Sequence, residues 1–260
     1  MKRNLKKTGI IVLNALVLIL LAGAFTGCPH KKEGQKKSIV VSPSYFGPDW
    51  SAKNLSQDKK RIEIGMKKGG LSALYFPDTV AADPGILDYF PIKPTDVIAD
   101  IGAGTGGFEF MLLQKKVSFQ KVIAVDIDAA SLDLLGFILQ KLPENSREKI
   151  DVVRSMWDDV RLPAGTVDLA LIVNSPSLYN KVYPEGQAPE VTSDPCLASL
   201  HQALKPNGRV YVFHVLTQDP SSRVDFNRVR LTFESSGFHL KKIGDFDFDR
   251  GAGYLWVFVK

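Results

Sequence analysis

Between Asp96 and Leu112 the chain reads DVIADIGAGTGGFEFML, an apolar run ending at Ile101, a glycine-dense turn, and a helical pattern starting near Gly106 or Gly107. No other feature restricts the fold so tightly. Gly102, Gly104 and Gly106 let the chain turn sharply and bring bare backbone against a ligand, where a Cβ would collide. The helix that follows offers free N–H groups and the positive end of its dipole. Gly102, Gly104 and Gly107 also satisfy G-x-G-x-x-G, so the glycines by themselves leave a dinucleotide open. Asp100, two residues before the first glycine, argues against one. A carboxylate there repels a pyrophosphate and is costly to bury unpaired, whereas a ligand with a cationic end suits it.

The rest of the domain alternates in the manner of a parallel sheet. Strands are expected at Val97–Ile101, Lys121–Val125, Ile150–Arg154, Val167–Val173 and Arg209–Val215. Helices are expected at Gly107–Lys116, Ala129–Lys141, Pro195–Leu204 and Ser222–Ser236, with shorter ones at Arg61–Lys68 and Pro84–Phe90, the latter capped by Asp83. Strands apolar almost throughout and interleaved with helices imply a sheet covered on both faces. The rhythm breaks at the end. His239–Phe248 and Tyr254–Val259 are joined by a short link that cannot house a crossover, so they form an antiparallel hairpin and bring the strand number to seven. The second strand ends VIAVDID, which puts Asp126 where a carboxylate can accept both hydroxyls of a ribose.

These motifs carry a resemblance. VIADIGAGTG resembles motif I of the class I S-adenosylmethionine-dependent methyltransferases, VIAVDID resembles their acidic strand-end motif, and LKPNGRVYVF resembles their late L-K-P-G-G strand motif. The resemblance covers roughly Pro84–Lys260 and is nearest in flavour to the ubiquinone/menaquinone-biosynthesis-like members. It implies an α/β, three-layer Rossmann-like seven-strand sheet, mostly parallel with an antiparallel C-terminal hairpin, and S-adenosyl-L-methionine as cofactor. Asp100 and the backbone at Gly102, Ala103, Gly104 and Gly106 would then hold the methionine portion, and Asp126 the ribose, with Ile127 beside it. The segment SMWDDVRLPAGTVDLALIVNS resembles the region that reads adenine, through Asp158 or, one register on, Asp159. Trp157 either stacks on the ring or belongs to the core. Asn174 ends the fourth strand at the mouth of the site, where open α/β sheets bind ligands, and could orient a substrate nucleophile. NSPSLY echoes the family's N-P-P-Y motif only loosely, so amine methylation does not follow from it.

The N-terminus is a second strong signal. MKRNLKK precedes an uncharged apolar run from Thr8 to Gly27, then Cys28, in the layout of a secretory signal. Ala24-Phe25-Thr26-Gly27-Cys28 resembles a bacterial lipobox, with Phe25 where Leu is usual. Two readings stand: a lipoprotein lipidated at Cys28 in the cell envelope, or an uncleaved membrane anchor whose domain faces the cytoplasm. The expected organisation is a leader or anchor at 1–27, a tether at 28–60 carrying Tyr45, Phe46 and Trp50, and a methyltransferase domain at 61–260. The pI of about 9.0 does not make this a nucleic-acid binder. Residues 1–27 carry +4 and 28–60 another +4, so 61–260 carry −3 of the total +5, and a phosphate-backbone partner needs a basic face on the domain itself.

Cys28 and Cys196 are the two cysteines, so no disulfide framework and no cysteine-based metal site is expected, and Cys196 reads as a small packing residue. No general base stands out. His30 lies in the tether, His201 in a helix, His214 on a strand and His239 at a strand start, with His214 the best placed. Tyr179 is the nearest titratable candidate to the acceptor side. Methyl transfer needs mostly positioning, because the sulfonium is already activated. The leading expectation is a methyltransferase acting on a small-molecule or lipid-like acceptor. The rivals are a non-catalytic envelope lipoprotein that keeps a nucleoside-binding fold and, through the shared glycines alone, an NAD-dependent oxidoreductase.

Overall fold

In the computed structural model, residues 83–175, 178, 193–216, 224–248 and 251–260 are described, with the short pieces 39–40, 59–60, 63–64 and 74–75. Seven strands form one sheet: β1 (Val97–Ile101), β2 (Lys121–Asp126), β3 (Ile150–Arg154), β4 (Val167–Val173), β5 (Leu204–Val215), β6 (His239–Phe248) and β7 (Gly251–Val259). Their spatial order is β3-β2-β1-β4-β5-β7-β6. The first five are parallel, and β7 pairs antiparallel with both β5 and β6. The chain thus winds outward from β1 to β3, returns to lay β4 on the other side of β1, and closes with the expected hairpin. Separately, Ile39–Val40 pairs in parallel with Leu74–Tyr75.

Four helices cover the sheet: α1 (Gly107–Gln114), α2 (Ala129–Leu139), α4 (Pro195–Ala203) and α5 (Phe226–Ser235), with a single turn, α3 (Glu144–Arg147), before β3. Alternation along β1 and β2 sends Ile98, Asp100, Val122 and Ala124 to one face and Ala99, Ile101, Ile123 and Val125 to the other. The first face packs against Phe108, Phe110, Met111 and Leu112 of α1 and Leu132 and Leu135 of α2. The second packs against Leu197 and Leu200 of α4 and Val229 and Phe233 of α5. The result is a three-layer α/β/α sandwich.

Most helix starts are set by an aspartate whose carboxylate accepts N–H groups left over in the first turn. Asp128 takes Ala130 N at 3.2 Å and Ser131 N at 3.0 Å, Asp194 takes Cys196 N at 2.9 Å and Leu197 N at 3.1 Å, and Asp225 takes Asn227 N at 2.9 Å. α1 differs. It begins on Gly106, in the left-handed region at φ +92°, with no side chain capping its N–H groups.

Several boundaries depart from expectation. The segment expected as a helix over Pro84–Phe90 is a 3₁₀ helix, Pro84–Asp88, started by Asp83, which accepts Gly85 N at 2.8 Å. Of the helix expected at Arg61–Lys68, residues 63–64 are described and helical. β5 starts at Leu204, where a helix end was expected, and not at Arg209. Leu204 pairs with Val167 and Arg209 with Leu169, so the intervening residues bulge. Pro206 has no N–H to offer, and Asn207 sits at φ +63°. α5 starts at Phe226 rather than Ser222 because Asp225 caps it, and β7 starts at Gly251 rather than Tyr254. Near residue 60, Lys59 meets Asp133 at 2.6 Å and Glu63 meets Lys141 at 3.2 Å, which fastens this stretch to α2.

Candidate active site at the β1–β4 switch point

The sheet reverses its order between β1 and β4, and helices on opposite faces leave a crevice beyond the C-terminal ends of those strands. A cavity of about 510 Å³ opens there, within the range of small-ligand sites. Ile101 and Gly102 supply its floor from β1, Asp126 and Ile127 come from the end of β2, and Asn174 and Ser175 from the end of β4.

The three glycines of the first turn serve three purposes. Gly102 (φ +84°) faces Ser175, and a Cβ there would lie 2.3 Å from the Ser175 Oγ. Gly106 (φ +92°) is a packing glycine, since its Cβ would stand 2.6 Å from Leu135 and 2.9 Å from Phe110. Gly104 (φ +55°) has nothing within 4 Å of where a Cβ would be, so its backbone presents open space at the turn. Backbone here is bare where a ligand would lie, and α1 adds an uncapped N-terminus behind it.

Asp126 ties the turns together. Its Oδ2 accepts the Gly104 N–H at 2.7 Å and its Oδ1 accepts the Asp128 N–H at 2.8 Å. Each carboxylate oxygen has a further lone pair, so the group is oriented by backbone and still able to accept two hydroxyls. Asn174 is held in the left-handed region at φ +48°, which asparagine tolerates better than most residues, with its N–H on the Phe213 carbonyl at 2.8 Å.

Gly102, Asp126, Ile127, Trp157 and Asn174 are the expected residues that line the cavity. Trp157 is no core residue: 67% of it is exposed, beside Met156 at 42% and Ile127 at 53%. Together they form an apolar rim fit for the face of a flat ring. Ala103, Gly104, Gly106 and Asp158 do not line the cavity. Asp158 is half-buried to one side, while Asp159, the register alternative, is exposed and engaged in a turn, its Oδ1 accepting Arg161 N at 2.7 Å. Tyr179 and Cys28 lie outside the described residues.

Asp100 is only 2% exposed and is absent from the cavity wall. It lies on the sheet face covered by α1, within interacting reach of Glu109, which is wholly buried. Burial pushes both carboxyls up, Glu109 to about 7 and Asp100 well above the usual carboxylate range; in Asp100 the Glu109 charge adds to the effect, and Asp126 raises both. Of the histidines, His214 is 1% exposed within β5 and does not reach the cavity. His201 stands edge-on to Phe238, and burial pulls it below the usual imidazole value.

The sequence reading missed Ile101, Ser155, Met156, Asp194 and Cys196 as lining residues. Cys196 does pack, at 4% exposure, but its position two residues into α4 also brings it to the cavity wall. No local pattern marks these as wall residues, because they arrive from separate places in the chain, the end of β1, the residues after β3 and the start of α4.

The FtsJ-like methyltransferase family model matches residues 84–235. No curated protein sequence matches the chain. Among solved structures, the chain is similar to a SAM-dependent methyltransferase from Aquifex aeolicus, with 16% identity over 78% of this chain and 99% of that one and a TM-score of 0.55. It is also similar to a chain of the complex containing the Haloferax volcanii Trm112 methyltransferase activator, at 14% identity over 80% and 96% with a TM-score of 0.52. The glycopeptide N-methyltransferase MtfA, solved with S-adenosyl-L-methionine, gives 12% identity over 68% and 93% with a TM-score of 0.50. At these identities the likeness is one of fold.

Proposed function

Because the chain belongs to the FtsJ-like methyltransferase family, we propose that it binds S-adenosylmethionine in the cavity at the β1–β4 switch point and methylates a small or lipid-like acceptor. The observation that carries this reading is Asp126, oriented by Gly104 N–H and Asp128 N–H at the cavity lip, above a turn left open at Gly104. The cofactor fits the donors present. Asp126 would accept the ribose hydroxyls, the Gly102 backbone would lie along the methionine portion, and Ile127, Met156 and Trp157 would cover the adenine. When bound, the sulfonium supplies an already activated methyl group. The chain's own task is to position: Asn174, fixed by Phe213, presents its amide at the mouth where an acceptor would enter.

The narrower assignments are part of the proposal. A lipid-like or small acceptor, rather than nucleic acid, agrees with the −3 charge of residues 61–260 and with the apolar rim. Tethering through the N-terminal leader, lipidated at Cys28 or retained as an anchor, would hold the domain at a membrane where such acceptors lie. Among the described residues, no helix is long and apolar enough to cross a membrane, and the leader is outside them. The nearer kinship to quinone-biosynthesis methyltransferases rests on the motif strings alone.

The test is calorimetric titration of S-adenosylmethionine and S-adenosylhomocysteine into the full-length chain in mild detergent, with Gly104→Asp as control. Micromolar binding lost in the control supports the reading and justifies an acceptor screen. A folded protein that binds neither compound overturns it. The leader motivates one rival, a non-catalytic envelope lipoprotein on this fold, which predicts ligand binding without methylation of any acceptor presented.

A further inference from the structure

We propose that Asp100 and Glu109 hold a shared proton beneath the glycine turn in the ligand-free protein, and that a cationic ligand settling beside Asp126 drives that proton out. This rests on the reading above for the identity of the cation, S-adenosylmethionine, but not for the existence of the proton. Nothing in the methyltransferase reading uses Glu109.

The placement is unusual for an acid. Glu109 sits in the first turn of α1, on a helix whose neighbours Phe108, Phe110, Met111 and Leu112 are all buried, and it is itself wholly enclosed. Neither of its carboxylate oxygens meets a donor in good hydrogen-bond geometry. Its polar neighbours are its own backbone N–H and the Asp100 carboxyl. Asp100 in turn stands in the middle of β1 between Ala124 of β2 and Leu171 of β4, neither of which offers a side-chain donor. α2, the 3₁₀ segment and the residues just after it pack apolar side chains, Leu132, Leu135, Ile86 and Phe90, against α1. The charged group that acts on both members is Asp126 from β2, another acid.

Two carboxylates cannot share such a site with both ionised. One proton bridging them turns two acceptors into a donor and an acceptor and removes one buried charge. The uncapped N-terminus of α1 favours the remaining negative charge. Asp126 lines the cavity whereas neither Asp100 nor Glu109 does, so a ligand in the cavity meets Asp126 first. A sulfonium and an ammonium placed there offset the Asp126 field and attract the buried charge, which lowers the cost of full ionisation, and the proton passes to solvent. S-adenosylhomocysteine lacks the sulfonium charge and should expel less.

Proton release is read by titrating the full-length protein calorimetrically near pH 6.5 in buffers of different ionisation enthalpy. Wild type should release about one proton per S-adenosylmethionine bound, and detectably less with S-adenosylhomocysteine. Below about pH 7 affinity should rise with pH, by up to about tenfold per unit. Glu109→Gln combined with Asp100→Asn should bind with almost no buffer dependence, because either single variant leaves one buried carboxyl able to hold a proton. The ligand-free arm is infrared spectroscopy, in which the carbonyl band of a protonated carboxylic acid should appear in wild type near neutral pH and vanish in the double variant. If the double variant fails to fold, Glu109→Gln and Asp100→Asn should each shift that band relative to wild type, because the remaining carboxyl has lost its partner. Loss of binding with the infrared band present would overturn the cofactor reading alone. Binding with no proton release, or a band unchanged in every variant, would overturn this proposal.

Discussion

Glu109→Gln should make the protein more stable as the pH rises, although it removes a native side chain from the core. Glu109 is fully buried, and burial raises it from the usual 4.5 to about 7. The unfolded chain gives up this proton near pH 4.5, while the folded one keeps it to about pH 7. Between these values the native state binds more protons than the unfolded state, so its stability falls as pH rises. At 1.36 kcal/mol for each pH unit, the displacement corresponds to about 3 kcal/mol, wholly absent below pH 4.5 and fully incurred above pH 7. Glutamine nearly matches the shape of glutamic acid and cannot ionise, so the variant should escape that loss. Thermal unfolding of the full-length chain from pH 4.5 to pH 8, followed by circular dichroism, is the assay. The wild-type curve should fall relative to the variant by about 3 kcal/mol, or roughly 6–12 °C in Tm for a domain of this size. Parallel curves for the two proteins across that range would refute the reasoning, as would a wild type that gains on the variant above pH 7.

Three further outcomes follow from the site. Gly102→Ala places a Cβ 2.3 Å from the Ser175 Oγ at φ +84° and should cost about 1–3 kcal/mol in chemical denaturation; adding Ser175→Gly should recover the steric part and leave the backbone strain. Trp157→Ala removes a side chain that is 67% exposed, so stability should change by under about 0.5 kcal/mol while S-adenosylmethionine affinity drops roughly tenfold by calorimetry; equal losses in both would make the ring structural. Asp194→Ala removes the cap that accepts Cys196 N and Leu197 N in a buried setting and should lower stability by about 1–2 kcal/mol, an unchanged midpoint counting against the capping role.

The order of elements was legible along the chain because each is specified by its own residues. The apolar runs at 97–101, 150–154 and 167–173 are strands at the expected bounds, and the DIGAGTG turn and the terminal hairpin are where their glycines and short link put them. Aspartates before helical patterns cap helices because the cap acts over three residues. Asp126 was legible for the same reason, being the acid at a strand end. The bulge before Arg209 was not, because it depends on Leu204 finding Val167 on a neighbouring strand.

Tertiary structure alone decided the rest. Trp157 could have been core or surface by its sequence, and the packing of the β3–β4 connection left it at the cavity rim. Ser155, Asp194 and Cys196 became wall residues because the end of β3 and the start of α4, distant in the chain, converge where the sheet reverses its order. Glu109 reads in the sequence as a polar interruption of an apolar helix, which ordinarily faces solvent. It is buried because α1 is enclosed on the side that meets the sheet, and it meets Asp100 because alternation along β1 turns that acid to the same face. Local pattern specifies which elements form; the distance between two carboxyls, and hence who holds a proton, exists only after the elements have packed.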